Sequence, residues 1–182
     1  SIRQKEILFL GRTTEKSSFN ILLEALKYTS LKNITLNVIG NDKIYQNLHK
    51  TNGSLANKFK INWYGKLINE QEISIIANRC QIFVYPGAVG LSIIHAMAYG
   101  LPCLVHSDRL KHMPEIAAFK KGRTGLTFIR DDPHDLAKKL SIMLSNTSSL
   151  NTMSGNCLKI VEKDFNIKSM TQNFVKFIRE LK

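Results

Sequence analysis

Six short apolar runs, separated by stretches with helical spacing, constrain this chain more than any other feature. They are Glu6–Leu10, Ile34–Ile39, Ile61–Tyr64, Ile82–Tyr85, Cys103–His106 and Leu126–Ile129. Each is strand length, and several are closed by glycine or proline: Gly11, Gly40, Gly65, then Pro86 and Gly87. Between them apolar residues recur three and four apart. This holds at Phe19, Leu22, Leu23 and Leu26, at Ile73, Ile76 and Ala77, and at Leu136, Leu140, Met143 and Leu144. A polar helix is expected over 43–51, with a loop at 52–54. Ile93–Tyr99 reads as a buried helix stopped by Gly100, with Pro102 beyond. A helical turn follows Met113-Pro114-Glu115, and Pro133 suits the first helical position after Asp132. Strands that alternate with helices need crossovers, and right-handed crossovers give a mostly parallel sheet covered on both faces. The expected fold is therefore a doubly wound, Rossmann-like α/β domain. A polar break is expected at Asn146–Asn151. Two helices follow it, the last carrying Ile167, Met170, Phe174, Ile178 and Leu181 on one stripe. This divides the chain into a domain over 1–145 and C-terminal helices over 146–182.

A chain of 182 residues has the length of one domain. No apolar stretch reaches the roughly 18 to 20 residues of a membrane span. The first apolar run is read as a strand and not as a leader. Cys80, Cys103 and Cys157 are odd in number, lie in apolar surroundings and have no metal-ligand spacing. Reduced, buried thiols in the cytoplasm are expected, and no metal site. Twenty-six Lys and Arg against 14 Asp and Glu give a net charge of +12. Such a field suits a polyphosphate substrate, an anionic membrane surface or nucleic acid, and a solvated basic surface is the plain alternative. The lysines are scattered and not interleaved with aromatics, which disfavours nucleic acid as a partner. The inner face of the plasma membrane stays open as a peripheral location.

The segment Tyr85–Pro102, "YPGAVGLSIIHAMAYGLP", leaves one strand, turns on Gly87 and Gly90, and enters a helix. In open parallel sheets, ligands collect beyond the carboxyl ends of the strands. The first amides of a helix lack internal acceptors, and the helix dipole favours negative charge there. The amides of Gly90, Leu91 and Ser92 can thus cradle a phosphate, or the turn can be short and empty. Ser92 can add a hydroxyl or simply cap the helix. "LGRTTEK", Leu10–Lys16, leaves the first strand at the same sheet edge. Arg12 can grip phosphate oxygens with its fork and Lys16 can add a point charge; the alternative is a solvated loop. Neither a G-x-G-x-x-G after the first strand nor a G-x-x-x-x-G-K-[ST] is present. A dinucleotide dehydrogenase and a P-loop NTPase are both disfavoured on that ground.

The chain resembles the C-terminal, donor-binding half of retaining glycosyltransferases of the GT-B fold, family 4, of the bacterial polysaccharide and lipopolysaccharide type. The resemblance covers essentially the whole chain and rests on six segments in order: "ILFLGRTTEK", "NVIGN", "INWYGKL", "FVYPGAVGLSIIHAMAYGLPCLVHS", "MPEIAAFKKGRTGLTF" and "DPHDLAKKLSIML". It implies that Arg12 and Lys16 neutralise the donor diphosphate in the catalytic role. It implies a nucleotide-sugar site made of Gly11, Gly87, Val89, Gly90, Leu91, Ser92, His95 and Glu115. Position 95 usually carries a glutamate that bonds the nucleotide ribose, and a second glutamate usually stands eight residues earlier. Here the two positions are His95 and Gly87. A neutral imidazole can still bond a ribose hydroxyl, although a lone histidine on an apolar helix can equally be a core residue. Glu115 can belong to the site or be a carboxylate that suits a helix start. His112 can face solvent or the donor.

The implied reaction moves a sugar from a nucleoside diphosphate, the donor substrate, to a hydroxyl of a glycan or lipid-linked acceptor. Cations and helix amides stabilise the departing diphosphate, so neither a metal nor another cofactor is expected. Asp131 and Asp132 are adjacent and do not form an Asp-x-Asp motif. The family also needs an N-terminal acceptor domain, which one domain's length cannot hold. The chain is therefore expected to be a fragment or one half of a split enzyme, inactive alone. A GT-B-fold nucleotide-sugar epimerase and a non-enzymatic basic module for nucleic acid or a protein partner remain open.

Overall fold

The strands of this chain are short and almost wholly apolar, as required when both faces of a parallel sheet are covered. The structure, a computed structural model, describes residues 5–40 and 59–166, with 169, 171 and 172 beyond them. Among the described residues there are six strands: β1 (Glu6–Leu10), β2 (Ile34–Ile39), β3 (Phe59–Gly65), β4 (Ile82–Tyr85), β5 (Cys103–His106) and β6 (Gly125–Phe128). They form one sheet in the order β3-β2-β1-β4-β5-β6, with every pairing parallel. The order reverses direction between β1 and β4, the switch point where doubly wound sheets open a crevice. The helices are α1 (Phe19–Tyr28), α2 (Glu70–Ala77), α3 (Ser92–Ala98), α4 (Pro133–Ser145) and α5 (Thr147–Asp164).

Each face of the sheet has its own core. Ile7, Phe9, Leu36, Val38 and Val84 point to one face, where α1 and α4 cover them with Leu22, Leu26, Leu136 and Leu140. Leu8, Leu10, Phe83, Cys103 and Val105 point to the other, beneath Ile73, Ile76, Ile93, Met97 and Cys157. The period of two along each strand sorts the side chains between the faces. Each buried Leu, Ile or Phe contributes about 1.5 to 3 kcal/mol relative to exposure. Asn37 is the polar exception inside β2. Its amide donates to Glu6 at 2.7 Å and its carbonyl accepts from Asn62 at 2.9 Å, so its burial leaves neither group unpaired.

Three expectations need correction. The polar segment 146–151 is not a break: α5 begins at Thr147, and the joint is Asn146 alone. Its Oδ1 accepts from the Ser149 amide at 2.9 Å, and one capping side chain suffices to start the next helix. The third strand starts earlier than its apolar run, at Phe59, because pairing with Ile34 and Thr35 draws Phe59 and Lys60 into the sheet. The sixth is shifted by one, to Gly125–Phe128. Gly125, at φ +155°, lies so close to Cys103 that a Cβ would stand 1.8 Å from its carbonyl oxygen. Pro133 does open α4, with Asp132 accepting from the amides of His134 and Asp135 at 2.9 and 3.0 Å. The helix expected over 43–51 and most of the last helix, with its stripe from Ile167 to Leu181, lie outside the described residues.

Candidate functional site

A cleft of about 770 Å³ opens over the carboxyl ends of β1, β2 and β3, beside α3. Its floor is the strand ends themselves, Leu10–Arg12 and Ile39–Gly40. Two glycines make that floor shallow. Gly11 has φ +148°, and a Cβ there would stand 2.8 Å from the ring of Tyr85. A Cβ on Gly40 would overlap the Gly11 carbonyl oxygen at 1.8 Å. Tyr85 stacks on Phe9 with ring centroids 5.1 Å apart. Burial raises its phenol pKa, and the nearby Arg12 guanidinium opposes that. Arg12 is exposed at the cleft, and Lys66, after β3, adds a second exposed cation. Leu67, Ile94, Val161 and Phe165 supply apolar wall, so the cleft combines a cationic rim with an apolar interior.

The turn between β4 and α3 is gripped from two sides. The amide of Ala88 donates to the Lys16 carbonyl at 3.2 Å. Gly87 permits this approach, since a Cβ on it would stand 2.1 Å from the same oxygen. On the other side the Val89 amide donates to His112 Nδ1 at 3.2 Å, and the Met113 amide donates to the Val89 carbonyl at 3.0 Å. The next three amides, of Gly90, Leu91 and Ser92, have no acceptor among the described residues. Leu91 is exposed and Ser92 half-buried, and both line the cleft, with Gly90 immediately before them.

His95 stands one turn into α3. Its Nε2–H donates to Glu70 Oε1 at 2.8 Å, across from α2. The Tyr99 hydroxyl donates to the same oxygen. These bonds, that of Tyr99 first and then that of His95, hold the Glu70 carboxyl below its ordinary range. Burial, then Glu70, pushes the Tyr99 phenol up. The imidazole is half-buried and lines the cleft, so it belongs neither to the closed core nor to open solvent. A carboxylate is thus present beside position 95, carried by another helix.

Of the residues singled out from the sequence, Gly11, Arg12, Leu91, Ser92 and His95 line this cleft together. Lys16 is exposed on the same loop as Arg12 but is not in the lining. Gly87 and Val89 are buried and serve the turn through backbone contacts. Gly90 stands between the turn and Glu115, whose Oε2 is buried without a hydrogen-bond partner among the described residues. A Cβ on Gly90 would stand 3.8 Å from that oxygen. His112 is half-buried and outside the cleft lining; it ties two loops together. Lys66 and Leu67 escaped the sequence reading, although the rule that favours strand ends applies equally after β3. Glu70 reads only as a favourable charge at a helix start. Nothing local in the sequence reports its pairing with a residue 25 positions later. Among the described residues no group of three His, Cys, Asp or Glu could hold a metal ion. No described helix is long and apolar enough to cross a membrane.

A six-stranded parallel sheet with a cationic cleft beyond its strand ends defines a doubly wound α/β domain, the kind that takes ligands at that edge. The family described as glycosyl transferases group 1 matches residues 4–146, and the chain belongs to it. It is 24% identical to an uncharacterised 41.2 kDa protein in the cps region of Klebsiella pneumoniae, over 97% of this chain and 47% of that protein. Its fold matches Anabaena Alr3699/HepE, solved with UDP and glucose, at a TM-score of 0.81 and 16% identity, over 98% of this chain and 49% of that one. It also matches the C-terminal domain of the group 1 glycosyl transferase LpcC from Francisella tularensis, at 0.72 and 19% identity, over 89% of this chain and 86% of that domain. The chain thus spans about half the length of the Klebsiella and Anabaena proteins.

Proposed function

We propose that this chain is the nucleoside-diphosphate-sugar-binding half of a retaining GT-B glycosyltransferase of family 4, acting in bacterial polysaccharide or lipopolysaccharide synthesis. Residues 1–145 form the binding domain in this reading. The C-terminal helices pack on it, and the acceptor half is a separate domain. The observation that carries the reading is the meeting of Arg12, Lys66 and the start of α3, with the amides of Leu91 and Ser92 and that of Gly90 just before them, around one cleft. Two relatives support it in kind: HepE shares the fold and was solved with UDP and glucose, and the Klebsiella relative lies in a cps region.

The chemistry follows from charge. When the sugar leaves, its anomeric carbon gains oxocarbenium character and the diphosphate gains negative charge. Arg12, with Lys16 beside it on the loop, and the α3 amides lower the cost of that charge in a cleft with apolar walls. His95, held by Glu70, presents its ring where the nucleotide ribose would lie. Titration calorimetry with UDP, GDP and ADP, against a short oligonucleotide, tests the reading. One nucleoside diphosphate binds and the oligonucleotide does not. Arg12→Ala weakens binding by about 1 to 3 kcal/mol, the scale of a charged hydrogen bond, without lowering the melting temperature. Lys16→Ala is expected to have a similar effect. Unchanged affinity in both variants removes the phosphate assignment.

A further inference from the structure

The turn that carries the three free amides is fixed on one side by a histidine whose two nitrogens have opposite roles. His112 Nδ1 accepts the Val89 amide proton at 3.2 Å, and its Nε2 donates to the His106 carbonyl at 3.0 Å. An amide can only donate and a carbonyl can only accept. These two contacts therefore require Nδ1 bare and Nε2 protonated, the neutral ring in one tautomer. The Met113 amide completes the grip by donating to the Val89 carbonyl. Val89 is fully buried and immediately precedes Gly90, Leu91 and Ser92, so its peptide sets the direction of the amides that follow.

We propose that His112 is the positioning residue of the nucleotide-binding turn, and that it works only as the neutral Nε2–H tautomer. The inference rests on the cleft's reading as a nucleotide site. A proton on Nδ1 would bring two N–H groups face to face at Val89, and the turn would have to release one of them. The surroundings also resist that proton. The His106 ring stacks on His112 with centroids 3.7 Å apart, and His106 itself is buried at the end of β5. Burial lowers the pKa of His112. Arg130, after β6, and Arg109, on its own loop, lower it further, while the bond to the His106 carbonyl and the Asp108 carboxylate act the other way. Asp131, paired with Arg130 at 3.4 Å, reaches His106 and also favours its charge. Above the ordinary imidazole range the clamp is whole. As pH falls below it, the clamp is lost, and the amides turn away from the phosphate.

The test uses His112→Ala and His112→Asn. Asparagine places an acceptor oxygen at the same bond distance from the backbone as Nδ1 and does not titrate. Two readouts are taken: hydrogen exchange of the Val89 amide without ligand, and UDP affinity from pH 7.5 to 5. In His112→Ala the Val89 amide loses protection and affinity falls roughly five- to tenfold, the value of about one hydrogen bond. His112→Asn restores both. The ratio of wild-type to His112→Asn affinity falls as pH drops, a comparison in which the ligand's own phosphate titration cancels. A protected Val89 amide in His112→Ala overturns the clamp. So does loss of protection with unchanged affinity, or an identical pH profile in wild type and His112→Asn. If wild type binds no nucleoside diphosphate, the positioning role falls with the site, and the exchange pattern separately shows whether the clamp exists.

Discussion

On one side of the cleft the Pro86–Leu91 turn is locked through its own backbone groups. Gly87 lies against the Lys16 carbonyl, Ala88 bonds it, and Val89 is held at both its amide and its carbonyl by His112 and Met113. Opposite it, β3 is followed by Lys66, Leu67 and the start of α2, where control passes to side chains. His95 and Tyr99 share the Glu70 carboxylate, and Lys66 and Ile68 are exposed. The first wall can hold donors at fixed positions because moving them breaks several backbone contacts at once. The second can change its chemistry by one substitution, because its contacts end in exposed side chains. The contrast explains how a chain of this family has glycine and histidine where the family resemblance implies two glutamates. Position 87 faces backbone and takes no side chain, whereas position 95 borrows a carboxylate from across the cleft.

The largest expected effect breaks the rigid wall. Gly87→Glu forces a Cβ to within 2.1 Å of the Lys16 carbonyl, so the Glu15–Ser17 turn must shift. A stability loss of roughly 3 kcal/mol is expected in urea denaturation, without any gain in nucleotide affinity. An unchanged midpoint would mean that the turn yields freely and that the two walls are alike. Acid attacks the same wall. Burial, followed by the influence of His112, lowers the His106 pKa to about 4 from an ordinary 6.5. The unfolded chain therefore binds the proton first. The stabilisation is complete above pH 6.5 and is lost progressively as pH falls toward 4. By pH 5 the loss amounts to about 2 kcal/mol. Urea midpoints at pH 7 and 5 check this, and equal midpoints contradict it. The smallest effect is expected on the adjustable wall. His95→Ala lowers nucleoside diphosphate affinity by about 0.5 to 1.5 kcal/mol and narrows the preference for ribose over deoxyribose. Glu70→Ala should act in the same direction, and His95→Glu should retain the preference. Equal preference in wild type and His95→Ala would leave His95 as a partner of Glu70 alone.

Much of the fold was legible because a covered parallel sheet leaves a plain trace. β1, β2, β4 and β5 coincide with their apolar runs, since every apolar residue along them faces one core or the other. Edges were less so. At β3 partial exposure dilutes the apolar signal, and Phe59 and Lys60 join through pairing alone. Asn146 was hidden among polar neighbours that suit a helix start as well as a loop. In the site, Gly11, Arg12, Leu91 and Ser92 could be found from strand ends and turn chemistry, which are local. Glu70 and the role of His112 could not, because both depend on partners brought close only by the sheet order.

A nucleotide in the switch-point cleft is the proposal on which the two walls' roles depend. Amide and side-chain NMR shifts recorded while a UDP-sugar or another nucleoside diphosphate is added test it most directly. The largest shifts are expected at Gly90, Leu91 and Ser92, with Arg12, Lys66 and His95 moving at the same ligand concentration and α1 and α4 silent. Shifts centred on the face covered by α1 and α4, or none at saturating ligand, would contradict it.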